Sequence, residues 1–256
     1  NGYSDTRMGA SMDSYLNGYN DPRLPVYFQP VPDGDNKGEY RGVANGMPNP
    51  QQDDYKVMSA ANVQEKSTDS PLRWMMASEV AFLRAEGAMR GWTAEMGGTA
   101  EEFYNKGIEL SFLENGLSAD AAARYAADET SKPTDFTDVS AANTKYNISA
   151  LGKITIKWNA GASEEEQLER IITQKWIAMF PNGTEAWSEF RRTGYPRLFP
   201  VRYNYPSSGV DTNKQIRRMV FPQSEYSNNG AAVQEAVKLL GGPDNGGTKL
   251  WWDKKN

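Results

Sequence analysis

A mainly α-helical fold is predicted by three features of this sequence. Two Ser/Thr-x-x-Glu signatures, Thr99 with Glu102 and Ser163 with Glu166, stand directly before stretches whose apolar residues recur at helical spacing. Ala77, Ala81, Ala85 and Ala88 form a stripe of small residues along a further such stretch, where a second helix can approach closely. Strand-like alternation is confined to the short run ITIKW, so few and short strands are expected.

Taken in order, residues 1–20 read as weakly helical and stop at NDPRLP, because the residue before each proline is biased away from the helical region. From there to about residue 62 runs YFQPVPDGDNKGEYRGVANGMPNPQQDDYKV, rich in Gly, Pro, Asn and Asp. That is far longer than a structureless connection in a compact domain, and it reads as a functional loop with short strands. SPLRWMMASEVAFLRAEGAMRGW predicts a helix over 72–92, with Ser70 as cap and Pro71 in the first turn. After MGG, a second helix over 100–115 presents Phe103, Tyr104, Ile108 and Leu110 and stops at Gly116. The two are expected to form an antiparallel hairpin with the alanine stripe inside.

A shorter helix over 119–127 follows Ser118. The stretch SEEEQLERIITQKWIAMF carries Leu168, Ile171, Ile172, Trp176, Met179 and Phe180 at helical spacing and is the best core helix of the chain. Burying each such side chain contributes about 1.5–3 kcal/mol. PNG turns the chain, Thr184 is expected to cap the next helix, and Gly194 to end it in a left-handed conformation. A last helix over 231–240 ends at Gly241-Gly242.

Composition excludes several functions. Hydrophobic residues make up 38% of the 256, a globular rather than disordered composition. The apolar runs fall well short of the roughly 20 residues that span a bilayer. A net charge of −5 with mixed signs gives no basic field for nucleic acid. The absence of Cys and His removes zinc sites of the usual kind, disulfides, thiol nucleophiles and His-dependent triads. Only oxygen ligands remain for a metal. PDGDNKG, with Asp33, Asp35 and Gly38, imitates the start of a calcium loop, but Lys37 and Ala44 stand where ligands belong, so it reads as a turn. GGPDNGGTK has the wrong residue order for a phosphate loop. No catalytic set, metal or cofactor is assigned. Trp74, Trp92, Trp176 and Trp187 read as helix-packing residues. Trp251-Trp252 reads as an anchor for the tail, with a sugar platform as the alternative.

Arg191 and Arg192 in WSEFRRTGYPRLFP invite an anion-site reading. Adjacent helical positions point about 100° apart, so the pair cannot form one fork. Trp187 and Glu189 lie at helical spacing from them, and positive charge in a last turn suits the helix dipole. The structural reading is therefore preferred, and substitution is expected to affect stability more than ligand binding.

ITQKWIAMFPNGTEAWSEFRRTGYP resembles the signature of the SusD/RagB family, surface glycan-binding lipoproteins that accompany TonB-dependent transporters in Bacteroidetes. The resemblance extends to NDPRLPVYF, SEVAFLRAEGAMRGW, FYNKGIELSF and RRMVFPQSEYSNNGAAVQEAVKLLGGPDNGGTKLWWDKK, and so covers nearly the whole chain. It implies a SusD-like fold of tetratricopeptide-like helical hairpins with long irregular loops, and no catalysis. It further implies capture of a glycan nutrient at the extracellular face of the outer membrane and delivery to a SusC-like TonB-dependent transporter. Family members carry a signal peptide, a lipidated Cys and an amino-terminal helical half, so residues 1–256 are expected to be the carboxy-terminal portion.

Sugars present flat apolar faces and edge hydroxyls, and a site for them wants exposed aromatics beside Asn, Arg or Asp. The loop over 25–62 offers Tyr40, Arg41, Asn45 and Tyr55 as candidates, although Tyr40 and Tyr55 would serve equally well as pins holding the loop to the helices. A helical glycoside hydrolase with paired carboxylates and a helical protein-protein scaffold remain as alternatives.

Overall fold

The computed structural model of the chain describes residues 6–46, 55, 58–62, 74–139, 146–205 and 208–254. Helices supply its regular structure: α1 (Ala10–Gly18), α2 (Leu24–Tyr27), α3 (Ala77–Met89), α4 (Thr93–Met96), α5 (Ala100–Glu114), α6 (Ala119–Ala126), α7 (Glu164–Ala178), α8 (Gly183–Thr193) and α9 (Gln223–Leu239). Among the described residues the extended segments meet only in isolated bridges, without a sheet.

The expected hairpin forms from α3 and α5. Thr99 accepts from the Glu102 N–H at 3.2 Å, and the Glu102 carboxylate accepts from the Thr99 N–H at 2.7 Å, a reciprocal capping box. The helices run antiparallel: Ser78 at the start of α3 donates from N and Oγ to Glu114 at the end of α5, at 3.0 and 2.6 Å. Toward the other end, the Arg84 guanidinium lies 4.0 Å over the Phe103 ring. Ala81, Ala85 and Ala88 are buried as expected, while Ala77 is exposed. Close approach depends on Gly107, where a Cβ would stand 2.6 Å from the Phe82 ring.

The start of α3 differs from expectation. Trp74 and Met75 are non-helical and exposed, and the helix begins at Ala77 behind an extended Met76. Its first turn is capped from across the hairpin by Glu114, a partner that local spacing cannot reveal. Ser70 and Pro71 lie outside the described residues. Trp74 is 87% exposed and Trp92 56%, so neither packs into the core as expected.

Helix α7 is the central element, with Leu168, Ile171, Ile172 and Ile177 buried. Ser163 caps it by accepting from the Glu166 N–H at 3.3 Å, but the Glu166 carboxylate is taken by Arg170 at 2.7 Å, so the cap is one-sided. In ITIKW, Ile154, Ile156 and Trp158 are buried while Lys157 is exposed, yet no strand pairs there. Its carbonyls are met by side chains instead, Tyr19 donating to Ile154 at 3.2 Å, Tyr104 to Ile156 at 2.5 Å and Arg170 to Lys157 at 3.1 Å, while the Lys157 N–H donates to the Asp128 carbonyl at 2.8 Å. Asn182, rather than Thr184, caps α8 by accepting from the Glu185 N–H. Gly194 ends that helix at φ +78°, in the left-handed region. Helix α9 begins at Gln223 instead of residue 231 and kinks at Asn229, with φ −142°.

The turn between α1 and α2 places Arg23 wholly inside the core. Its guanidinium holds Asp21 in a bidentate pair at 2.9 and 2.6 Å, and donates to Ser111 of α5 at 2.9 Å, Tyr125 of α6 at 3.3 Å and Gln174 of α7 at 3.0 Å. Phe112 and Tyr125 close over it, with ring centroids 5.1 and 5.3 Å away.

A second polar network joins α3, α7 and α8. Buried Lys175 stands 3.1 Å from Glu189, 3.5 Å from Glu185 and 3.8 Å from Glu79. Arg192 donates to both oxygens of Glu86 at 2.7 and 2.6 Å and to Glu189 at 2.5 Å. Arg191 stacks 3.6 Å over Trp187 and 4.8 Å from Trp252, and donates to the Arg217 carbonyl at 2.9 Å. Both arginines thus point into the protein's own framework, in different directions. The tail is anchored by Asp253, which pairs with Arg217 at 2.5 Å, and by Trp252; Trp251 is 83% exposed and holds nothing down.

Three outcomes are expected. Arg23→Met leaves Asp21 as an uncompensated buried charge and should destabilise the fold by about 3–5 kcal/mol in denaturant titration; an unchanged midpoint would show the pair to be dispensable. Arg192→Ala should lower stability by about 2 kcal/mol, the scale of charged hydrogen bonds, while leaving ligand affinity intact. Burial pushes the Glu86 carboxyl up, but Arg192 and Arg90 outweigh it and hold it below its ordinary value of 4.5. In that window the unfolded chain binds more protons, so this contribution is present above about pH 4.5 and fades as pH falls further. Glu86→Gln should therefore shallow the acid-side loss of stability, measured as melting midpoint against pH.

Candidate functional site

The loop after α2 is held to α1 by buried Asp13, which accepts from the Gly42 N–H at 2.6 Å and from Asn17 at 2.7 Å. Burial pushes the Asp13 carboxyl up, opposed by these hydrogen bonds. Asn17 also donates to the Tyr40 carbonyl at 2.9 Å. Short extended pairings complete the attachment: Gly9 bridges Val43, Arg7 bridges Ala60 and Phe28 bridges Ala61. Asp33 and Asp35 lie in exposed turns. Among the described residues no group of three acidic side chains is placed to hold a metal ion.

The four candidates are not equivalent. Tyr55 is buried, 7% exposed, and its carbonyl accepts from Arg7 at 3.3 Å. Tyr40 is half-buried against the main core. Arg41 is half-buried too, and its guanidinium donates to the Thr137 carbonyl at 3.1 Å. Asn45 is exposed, with its carbonyl accepting from the Arg202 N–H at 3.2 Å.

That last bond brings the loop against segment 201–205. Gly46 makes the approach: its φ is +74°, and a Cβ there would stand 2.4 Å from Val201 and 2.9 Å from the Tyr203 carbonyl. Arg202 in turn donates to the Asn147 carbonyl at 3.2 Å, and Asn147 accepts from the Asp138 N–H at 2.8 Å. Beneath this face lies a small second core of Ala10, Ala44, Phe136, Tyr146 and Phe199, separate from the main one.

On the outside of the face stand Tyr203 and Tyr205, 44% and 69% exposed, with ring centroids 5.6 Å apart and planes at 76°. Between them Asn204 has a buried amide nitrogen with no hydrogen-bond partner. Asn45 from the loop and the tyrosine pair from the later segment are thus brought side by side, whereas Arg41 reaches Thr137, Tyr40 packs on the main core and Tyr55 is buried. The tyrosines were missed in the sequence, although VRYNYPSSG carries the same signal as the earlier loop: aromatics among Asn, Pro, Ser and Gly outside any helical period.

Raised carboxyls elsewhere are committed to structural partners. Burial pushes Glu79 up against the opposing Lys175, and Glu169 up against Arg197. No described helix is long and apolar enough to cross a membrane.

A comparison with curated proteins finds no match. A family model described as SusD-like, Susd and RagB outer membrane lipoprotein, matches residues 1–253. Among solved structures, a chitin-binding SusD homolog from Flavobacterium johnsoniae is 44% identical and superposes with a TM-score of 0.89, over 98% of this chain and 50% of that one. A SusD homolog from Bacteroides vulgatus is 39% identical with a TM-score of 0.91, over 100% of this chain and 51% of its own. A SusD-like protein from Bacteroides thetaiotaomicron is 44% identical with a TM-score of 0.89, over 98% and 51%. The chain thus spans about half the length of these relatives. By its helical hairpins, its loop-rich face and these matches, the chain belongs to the SusD/RagB family of outer membrane lipoproteins.

Proposed function

We propose that this chain contributes a glycan-binding face to a non-catalytic outer-membrane lipoprotein, which captures oligosaccharide at the extracellular face and passes it to a SusC-like TonB-dependent transporter. The observation that carries the reading is the exposed Tyr203–Tyr205 pair beside Asn45. Rings set at 76° offer one face and one edge, which suits a sugar chain that turns as it crosses them. Asn45 and Arg41 of the loop supply hydrogen-bonding groups, the polar complement that hydroxyl and acetamido groups need. Tyr40 and Tyr55 set the position of the loop. Because one relative at 44% identity is a chitin-binding protein, chitin oligosaccharide is the first ligand to try. The lipid anchor and the amino-terminal half of the relatives lie outside this chain in the proposal, and residues 1–256 form the carboxy-terminal portion.

Titration calorimetry with chitohexaose tests this. Tyr205→Ala should weaken binding about tenfold, the equivalent of about 1.4 kcal/mol, without changing the melting midpoint. Asn45→Ala should weaken it several-fold. Full affinity in both variants, against measurable binding by the parent, would remove the face from consideration. Release of shorter sugars during the titration would favour the hydrolase.

A further inference from the structure

An asparagine followed by glycine is prone to lose its side-chain amide, because glycine has no side chain to shield its backbone nitrogen. Six such steps lie among the described residues: Asn17-Gly18, Asn45-Gly46, Asn115-Gly116, Asn182-Gly183, Asn229-Gly230 and Asn245-Gly246. The reaction closes a ring between the asparagine Cγ and the glycine nitrogen, so it needs a side chain free to turn and an N–H not held elsewhere. Four steps lack one or both. Asn17 donates to Asp13 at 2.7 Å and to the Tyr40 carbonyl at 2.9 Å, and Gly18 is packed on the Lys132 carbonyl. Asn115 donates to the Ser111 carbonyl at 2.7 Å and to Tyr27 at 3.3 Å, while the Gly116 N–H donates to Leu113 at 3.0 Å. Asn182 caps α8, and the Gly183 N–H donates to the Pro181 carbonyl at 2.8 Å. Asn245 accepts from the Gly247 and Thr248 N–H groups, both at 3.0 Å, and the Gly246 N–H donates to Ser208 at 3.1 Å. Asn229 is exposed, but its step lies within α9, where ring closure has to open helical backbone.

Asn45-Gly46 is outside any helix, and Asn45 is exposed. Among the described residues neither the Asn45 side chain nor the Gly46 N–H has a hydrogen-bond partner. The step is restrained by the 3.2 Å bond from Arg202 to the Asn45 carbonyl and by the packing of Gly46. That packing also makes glycine obligatory after Asn45, since φ is +74° and a Cβ would stand 2.4 Å from Val201. The close approach that builds the tyrosine face therefore brings the reactive step with it.

We propose that Asn45 is a site of spontaneous deamidation, and that its conversion disables the tyrosine face. The Gly46 nitrogen gives up its proton and bonds to the Asn45 Cγ. The Cγ–Nδ2 bond breaks, and ammonia leaves with that proton, giving a five-membered succinimide. Water then opens the ring at Cγ to give aspartate, or at the main-chain carbonyl to give isoaspartate. The net change exchanges ammonia for water, with nothing oxidised or reduced. Either product replaces an amide that donates and accepts by a carboxylate that only accepts. Isoaspartate also routes the main chain through Cγ, which lengthens it beside the contact with Arg202. The chemical step stands independently of any ligand; only the loss of binding rests on the glycan reading.

The test is peptide mapping by mass spectrometry of the folded chain aged in mildly alkaline buffer, with aspartate and isoaspartate resolved. Asn45 should convert about tenfold faster than each of the other five steps, the scale of first breaking a hydrogen bond. Its rate should rise with pH, because the attacking nitrogen must lose a proton. In denaturant the six rates should converge. Asn45→Gln, which would have to close a six-membered ring, should leave that position unmodified and the other five rates unchanged. Chitohexaose affinity of the aged parent should fall in step with the converted fraction, and Asn45→Asp should reproduce the weakening. Faster conversion at any other described step, an equal lead for Asn45 in denaturant, or full affinity in a fully converted chain would each overturn the proposal. A fresh parent that does not bind chitohexaose would remove the glycan face and the loss of binding with it, while the peptide map still decides the deamidation.

Discussion

The arrangement of helices depends on a charge placed where water cannot reach it. Arg23 is fully buried, and an isolated guanidinium in that position would be prohibitively costly, so every donor direction must find a partner. Asp21 supplies the opposite charge from two residues away, while Ser111, Tyr125 and Gln174 come from three different helices. Burial acts to lower the Arg23 proton affinity, but Asp21 and the surrounding acceptors outweigh it, and the side chain stays charged. Satisfying this one group requires α5, α6 and α7 to converge on the turn before α2. A hydrophobic core alone would hold these helices together with less regard for their relative rotation.

The same turn sets the departure point of the loop that carries part of the candidate site. From α2 the chain passes Phe28, which packs on Phe180 with ring centroids 4.9 Å apart, and then leaves the helical layer. Asp13 and Asn17 on α1 recapture it at Tyr40 and Gly42. The site face is therefore built on irregular backbone whose two ends are tied to rigid helices. Such support limits the ordering cost when a ligand arrives, which is how a loop-built surface retains useful affinity.

The ionic bridge among Lys175, Glu189, Arg192 and Glu86 explains why the arginine pair of α8 makes no anion site. Each guanidinium is engaged by the protein's own acceptors or aromatic faces, and Arg192 answers two carboxylates at once.

What the sequence alone determined is whatever rests on neighbours within a turn or two. The Thr99–Glu102 box, the Ser118 cap, the stop at Gly194 and the apolar stripe of α7 are local, and each lies where the residues indicated. The family resemblance belonged to the same local level, because its motifs are contiguous strings. Other features needed partners far along the chain. Helix α3 starts at Ala77 because Glu114 reaches its first turn, and ITIKW joins no strand because three side chains and the Asp128 carbonyl satisfy its backbone. Trp74 and Trp92 are exposed because no element among the described residues covers them, although both sit beside a strongly helical pattern. In the candidate site, Asn45 was legible as a polar residue in an unusually long loop, but its proximity to the segment carrying Tyr203 and Tyr205 was not. That contact joins segments far apart in sequence through one close backbone approach at Gly46, and only tertiary packing decides which surfaces of two irregular segments meet.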